Sequence, residues 1–204
     1  MNGDNEQYFS KRRPFMSQTA ETLAVLDDRL RGLLRDYARR EPAHDALAAE
    51  FGTLLDDPED PFRRERLAGH FTASCWLVSA DGQRLLLTHH RKLQRWLQLG
   101  GHADGDRDLA QVALKEAEEE SGLSDLVLED PAIFDLDKHW IPERKDVPGH
   151  WHYDVRFVIR ALGGEAFVLS EESLELAWRP VTEVAADPES DESMQRMARR
   201  WLAR

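Results

Sequence analysis

The sequence predicts a mixed α/β fold, a layered domain of strands and helices preceded by a helical hairpin. Three observations carry that expectation. Strand-like segments flank one amphipathic internal helix near residues 109–121, a helical stripe closes the chain, and two helical stripes precede an acidic, proline-containing breaker near residue 60.

Taken in order, residues 1–15 read as an arm or an extension packed on a neighbour. Residues 17–40 carry Leu23, Leu26, Leu30, Leu33, Leu34 and Tyr37 at helical spacing, and Pro42 interrupts them. Residues 43–55, with Leu47, Phe51, Leu54 and Leu55, predict a second helix that ends at Asp56-Asp57-Pro58-Glu59-Asp60-Pro61. Two helices bury little by themselves, so the hairpin is expected to pack on the main domain, with a homodimer contact as the alternative. Residues 71–79 and 84–90 read as a strand pair joined at Asp81-Gly82. Residues 96–99 lead into Gly100-Gly101, read as a turn. One or two strands follow over 126–137, broken near Pro131. A long strand covers 151–162, Gly163-Gly164 marks a turn, and a last strand covers 175–181. An acidic loop then leads to a helix over 190–204 with Met194, Met197, Trp201 and Leu202 as its stripe.

The chain of 204 residues suits one or two domains, divided here into an arm and helical extension (1–66) and a main domain (67–204). A formal net charge of −12 argues against a surface for nucleic-acid polymers, which need clustered Lys and Arg, but leaves room for nucleotides bound through a metal. Cys75, the only cysteine, lies in an apolar run, which reads as a small core residue in a reducing compartment. No apolar run approaches the ~20 residues of a membrane span, and the polar start lacks a signal-peptide core, so the expectation is a cytoplasmic protein without a membrane partner.

The most informative segment is 101–123. On a helix, Glu116, Glu119 and Glu120 share one face, whereas Glu118 points away. Three crowded carboxylates repel one another unless a cation neutralises them, and Mg²⁺ and Mn²⁺ prefer oxygen ligands. Leu109, Val112, Ala113, Leu114 and Ala117 form an apolar side of mostly small residues that can lie close to a sheet. Asp106 or Asp108 suits the N-cap, and Gly122 a left-handed C-terminal cap.

This segment resembles the Nudix box: Gly, five residues, Glu, seven residues, Arg-Glu, an aliphatic residue, one residue, Glu-Glu, one residue, Gly, aliphatic. Gly101, Glu116, Ala117, Glu119, Glu120, Gly122 and Leu123 fall in register. Arg107 stands where the pattern has its first Glu, with Asp106 beside it as a substitute if the loop shifts. Lys115 stands where the pattern has Arg, keeping the charge without the planar fork.

The resemblance implies the Nudix fold, an α/β/α sandwich around a mixed sheet, and hydrolysis of a diphosphate joined to another moiety, often a nucleoside diphosphate. It implies Mg²⁺ or Mn²⁺ as cofactor, held by Glu119 and Glu120, with Glu116 as ligand or water-orienting base, and the Gly101 carbonyl as a further oxygen. Lys115 joins Glu116 and Glu119 in the catalytic set. Glu171, Glu172 and Glu175 are alternative positions for a general base. His102, His139, His152, Arg156 and Trp140 are the candidate substrate contacts. His150 and His152 flank Trp151 and face the same way if that segment is extended. For the histidines as a set, hydrogen-bonding, substrate and metal roles stay open, since imidazole suits Zn²⁺, Mn²⁺ and Fe²⁺. Arg144 and Lys145 are candidate phosphate contacts in a loop. Two other readings fit the same scaffold: an isopentenyl-diphosphate isomerase-like enzyme, and a regulatory module that binds without turnover.

Overall fold

The computed structural model describes residues 20–91, 94–144, 147–169 and 173–204. Helix α1 (Ala20–Arg40) stops before a 3₁₀ turn at Pro42–His44, and α2 (Asp45–Leu55) follows at once. Their apolar faces turn inward. Leu30, Leu34 and Tyr37 of α1, and Phe51, Leu54 and Leu55 of α2, are buried in the same core as the sheet. Each such side chain contributes roughly 1.5–3 kcal/mol by leaving water. Phe51 meets the Tyr153 ring edge-on at 5.2 Å, and the Tyr37 hydroxyl donates to Asp135 at 3.3 Å. These positions of the stripe are therefore spent on the main domain, whereas Leu23, Leu26 and Leu33 stay partly exposed.

The remaining elements are β1 (His70–Val78), β2 (Arg84–His90), β3 (Arg95–Leu97), β4 (Gly100–His102), α3 (Leu109–Ser121), β5 (Leu126–Leu128), β6 (Asp135–Ile141), β7 (His150–Ala161), β8 (Ser173–Pro180), α4 (Val181–Ala186) and α5 (Glu192–Leu202). The sheet runs β3-β2-β1-β7-β5, with β4 paired to β1, β6 to β7 and β8 to β2. β1 and β7 are parallel and the other pairings antiparallel, so the sheet is mixed.

Alternation along β1 separates two layers. Phe71, Ala73, Cys75 and Leu77 pack with α1, α2 and α3, while Trp76 and Val78 pack with α4 and α5. The result is the expected α/β/α sandwich. α3 matches its sequence signals closely: Asp108 accepts from the Gln111 N–H at the N-cap, and Gly122 closes the helix at φ +65°. Among the described residues, no helix is long and apolar enough to cross a membrane.

Two expectations change. Gly100 and Gly101 are not a turn but an extended strand, paired to Ser74 and Ala73. Residues 181–186, read as the start of an acidic loop, form α4, a helix too short to show a periodic stripe.

Candidate active site at the acidic helix

The glycines of β4 make the site possible. A Cβ on Gly101 would lie 2.6 Å from the Glu116 carboxyl, so the missing side chain is what lets α3 press this carboxylate onto the strand. Glu116 is mostly sheltered, whereas Glu119 one turn on is well exposed. The Lys115 ammonium lies 3.6 Å from Glu116 and 3.3 Å from Glu119. Partial burial works against its charge, but the two carboxylates hold its pKa above the ordinary value. Gly100 is confined from the opposite side, where an added Cβ would run into that of Ser74.

The backbone of β4 faces two ways. Cys75 N–H donates to the Leu99 carbonyl and Ala103 N–H to the Phe71 carbonyl. In an antiparallel ladder that register turns the polar groups of Gly101 towards Ala73 and those of Gly100 outward. The outward carbonyl beside the acidic helix is thus that of Gly100.

The sheet face away from α3 carries five histidines. His70 sits opposite His152 in the parallel β1–β7 pairing, His139 opposite His152 in β6–β7, and His102 opposite Thr72 in β4–β1. His150, two residues from His152, shares its face. The His152 ring lies 5.0 Å from those of His70, His102 and His150, and 5.4 Å from that of His139. Burial first, and the neighbouring imidazoles next, push His152 down to about 2. Burial and the Arg64 charge push His102 down to about 4, and burial lowers His70. His139 donates to Asp137 at 3.0 Å. Burial opposes the Asp137 charge, but this bond and Arg156 hold its carboxyl down to about 2.

The NUDIX domain model matches residues 69–201, from the first strand to the last helix. The chain belongs to the Nudix family. Solved structures agree on the fold. An Ap4A hydrolase from C. elegans is 17% identical over 65% of this chain and 95% of its own, at a TM-score of 0.50. The MutT protein of Methanosarcina mazei Go1 is 17% identical over 68% and 96%, at 0.52. A NUDIX-family hydrolase from Clostridium perfringens is 20% identical over 66% and 96%, at 0.50. No curated protein matches the chain in sequence.

Both departures from the Nudix box have a structural setting. Arg107 turns away from the acidic face: it bonds Asp27 of α1 at 2.9 Å, approaches Asp60 at 3.4 Å and lies over the Phe62 ring at 4.6 Å. It ties the N-terminal hairpin to the box loop. The Asp106 carboxylate holds the same loop, accepting the Asp108 N–H. Lys115 stands between the two glutamates.

Other candidates separate. Arg156 is 3% exposed and its guanidinium is committed to Asp154 at 2.7 Å, Ser193 at 2.8 Å, and Asp135 and Asp137 at 3.3 Å. It is placed as an ion-pair hub inside the sandwich rather than at the surface. Trp140 is half exposed and packs edge-on against Trp151 at 5.2 Å. Cys75 is buried, and burial raises its thiol pKa well above the ordinary value, as suits a small core residue rather than a reactive thiol. Glu171, Glu172 and Lys145 lie outside the described residues. Glu175 is exposed on β8, paired with His89.

The alternation either side of Trp151 had put His150 and His152 on one face, and the strand does so. His70 was not among the residues picked from the sequence. His70 had no local signal, because only the parallel register of β1 and β7 brings it there.

Proposed function

We propose that this Nudix hydrolase cleaves the diphosphate linkage of a nucleoside diphosphate joined to a second moiety, with Mg²⁺ or Mn²⁺ on the acidic face of α3. The observation that carries the reading is the cradle at Gly101, which a Cβ would fill and which seats Glu116 beside Glu119 and Glu120 on a strand with an outward carbonyl. The donor set is all oxygen, as hard dications require. Glu119 and Glu120 are the proposed direct ligands, Glu116 a ligand or the group orienting the attacking water, and the Gly100 carbonyl a more suitable donor than that of Gly101. When bound there, such an ion neutralises phosphate oxygens, acidifies a water and stabilises charge on the leaving oxygen.

The chain's own residues do the rest. Lys115 limits repulsion between Glu116 and Glu119 and fixes their spacing, the positioning role that the Arg of the box would otherwise take. His102 and His139 border the opposite side of the strand end, and a neutral His102 offers hydrogen bonds without attracting stray anions. Trp140 presents exposed ring surface for a base.

The test is a panel of dinucleoside polyphosphates, nucleoside diphosphate sugars and nucleoside triphosphates, with products read by mass spectrometry in Mg²⁺ and in EDTA. Two structural relatives make such compounds sensible members, since one is named for Ap4A and another, from E. coli, for dihydroneopterin triphosphate. Cleavage that requires Mg²⁺ and falls by orders of magnitude in Glu119→Gln supports the reading. Binding without cleavage across the panel would favour the regulatory alternative.

A further inference from the structure

We propose that His70, His150 and His152 form a second metal site, for a borderline transition-metal ion of the Zn²⁺ class, on the sheet face opposite the acidic helix. One imidazole nitrogen from each lies within 4.8 Å of the other two. The orientation of the rings is fixed by backbone carbonyls. His70 Nδ1 donates to the Arg66 carbonyl at 3.1 Å and His150 Nδ1 to the Pro148 carbonyl at 2.9 Å. A carbonyl only accepts, so the proton of each neutral ring is on Nδ1 and each Nε2 keeps its lone pair.

Those lone pairs converge. His70 is 1% exposed, and its Nε2 is buried without a hydrogen-bond partner. A buried acceptor left unpaired costs about 1–3 kcal/mol, a deficit that a coordinated cation would remove. His150 Nε2 accepts a hydrogen bond from His152 Nε2 at 3.2 Å, whose proton an ion bridging the two nitrogens would displace. Zn–N bonds of 2.0–2.1 Å in a tetrahedron place two nitrogens about 3.4 Å apart, so this pair is spaced for a shared ion. Metal-binding histidines characteristically donate their other N–H to a carbonyl or carboxylate, the arrangement seen at His70 and His150.

The donor chemistry separates the two sites. Three neutral imidazoles suit Zn²⁺, Co²⁺ or Fe²⁺ and discriminate against Mg²⁺, whereas the all-oxygen glutamates of α3 accept Mg²⁺ and Mn²⁺. Three protein ligands leave one position open for water or an anionic oxygen. His102 and His139 border His152, and His139 is oriented by Asp137.

The inference does not depend on the diphosphatase reading, and its test reads binding. Full-length protein stripped by chelator is titrated with Co²⁺, whose ligand-field absorption is strong in a tetrahedral site and weak in an octahedral one, and then with Zn²⁺. One equivalent of Co²⁺ should bind with visible absorption, be displaced by Zn²⁺, and persist in Glu119→Gln. In His152→Gln affinity should fall by more than the ~100-fold that marks the upper range for outer-shell partners. His70→Asn alters a core position and needs a circular dichroism check of folding. His152→Gln, at a partly exposed position, decides if that variant unfolds. No absorption in the wild type, absorption that survives His152→Gln, or absorption lost only in Glu119→Gln would overturn the proposal.

Discussion

Replacing Gly101 by Ala probes the site through a single methyl group. That Cβ would stand 2.6 Å from the Glu116 carboxyl, about 0.8 Å short of the 3.4 Å at which ordinary contact begins. The obstacle is the far end of a flexible side chain, so the carboxylate can swing aside and the fold survives. Any residual strain is offset by the roughly 0.4–1 kcal/mol that Gly→Ala gains by restricting the unfolded chain. Function has no such escape, because a displacement of about 1 Å at reacting groups can lower turnover about 100-fold. Steady-state kinetics at saturating Mg²⁺ should show kcat down by about 10- to 100-fold, with the melting temperature within a few degrees of wild type. Adding Glu116→Asp, which shortens the acid by one methylene, should recover part of the loss. Full kcat in Gly101→Ala would refute the claim that this close approach seats a working carboxylate.

Other consequences concern the frame around the site. Arg156→Met leaves buried carboxylates without their central cation and should cost about 3–5 kcal/mol in urea unfolding. Unchanged stability with a raised KM would return Arg156 to the substrate-binding set. Arg107→Ala should cost about 1–3 kcal/mol and expose the hairpin to proteolysis, while an unaltered cleavage pattern would deny its tethering role. Burial, then the Asp135 charge, raises Tyr37 to about 12, so its contribution is complete below pH 10 and lost as pH climbs towards 12. Two units correspond to about 2–3 kcal/mol, and Tyr37→Phe should flatten that part of the stability–pH curve. An identical slope in the variant would dismiss Tyr37 as the titrating group.

The acidic face of α3 was legible because helical geometry alone puts i, i+3 and i+4 together, and both caps used the residues their chemistry favours. The hairpin strands β1 and β2 were legible for a similar local reason. The sequence misled at Gly100-Gly101, where two glycines signal a turn but serve close approach instead, to Ser74 on one side and Glu116 on the other. Arg107 looked like a defect in a motif because its partner, Asp27, is 80 residues away. The histidine constellation was legible only in part, through the alternation of His150 with His152, and His70 was hidden by topology. The set is assembled by the parallel pairing of β1 with β7, strands far apart in the chain whose register no local pattern specifies.

The most direct measurement is Mn²⁺ uptake followed by electron paramagnetic resonance, in protein carrying His152→Gln so that the histidines contribute little. At millimolar free Mn²⁺ that protein should take up at least one ion, and the further change of Glu119 and Glu120 to Gln should abolish it. Equal uptake with and without those two carboxylates would contradict the assignment of the divalent cation to α3.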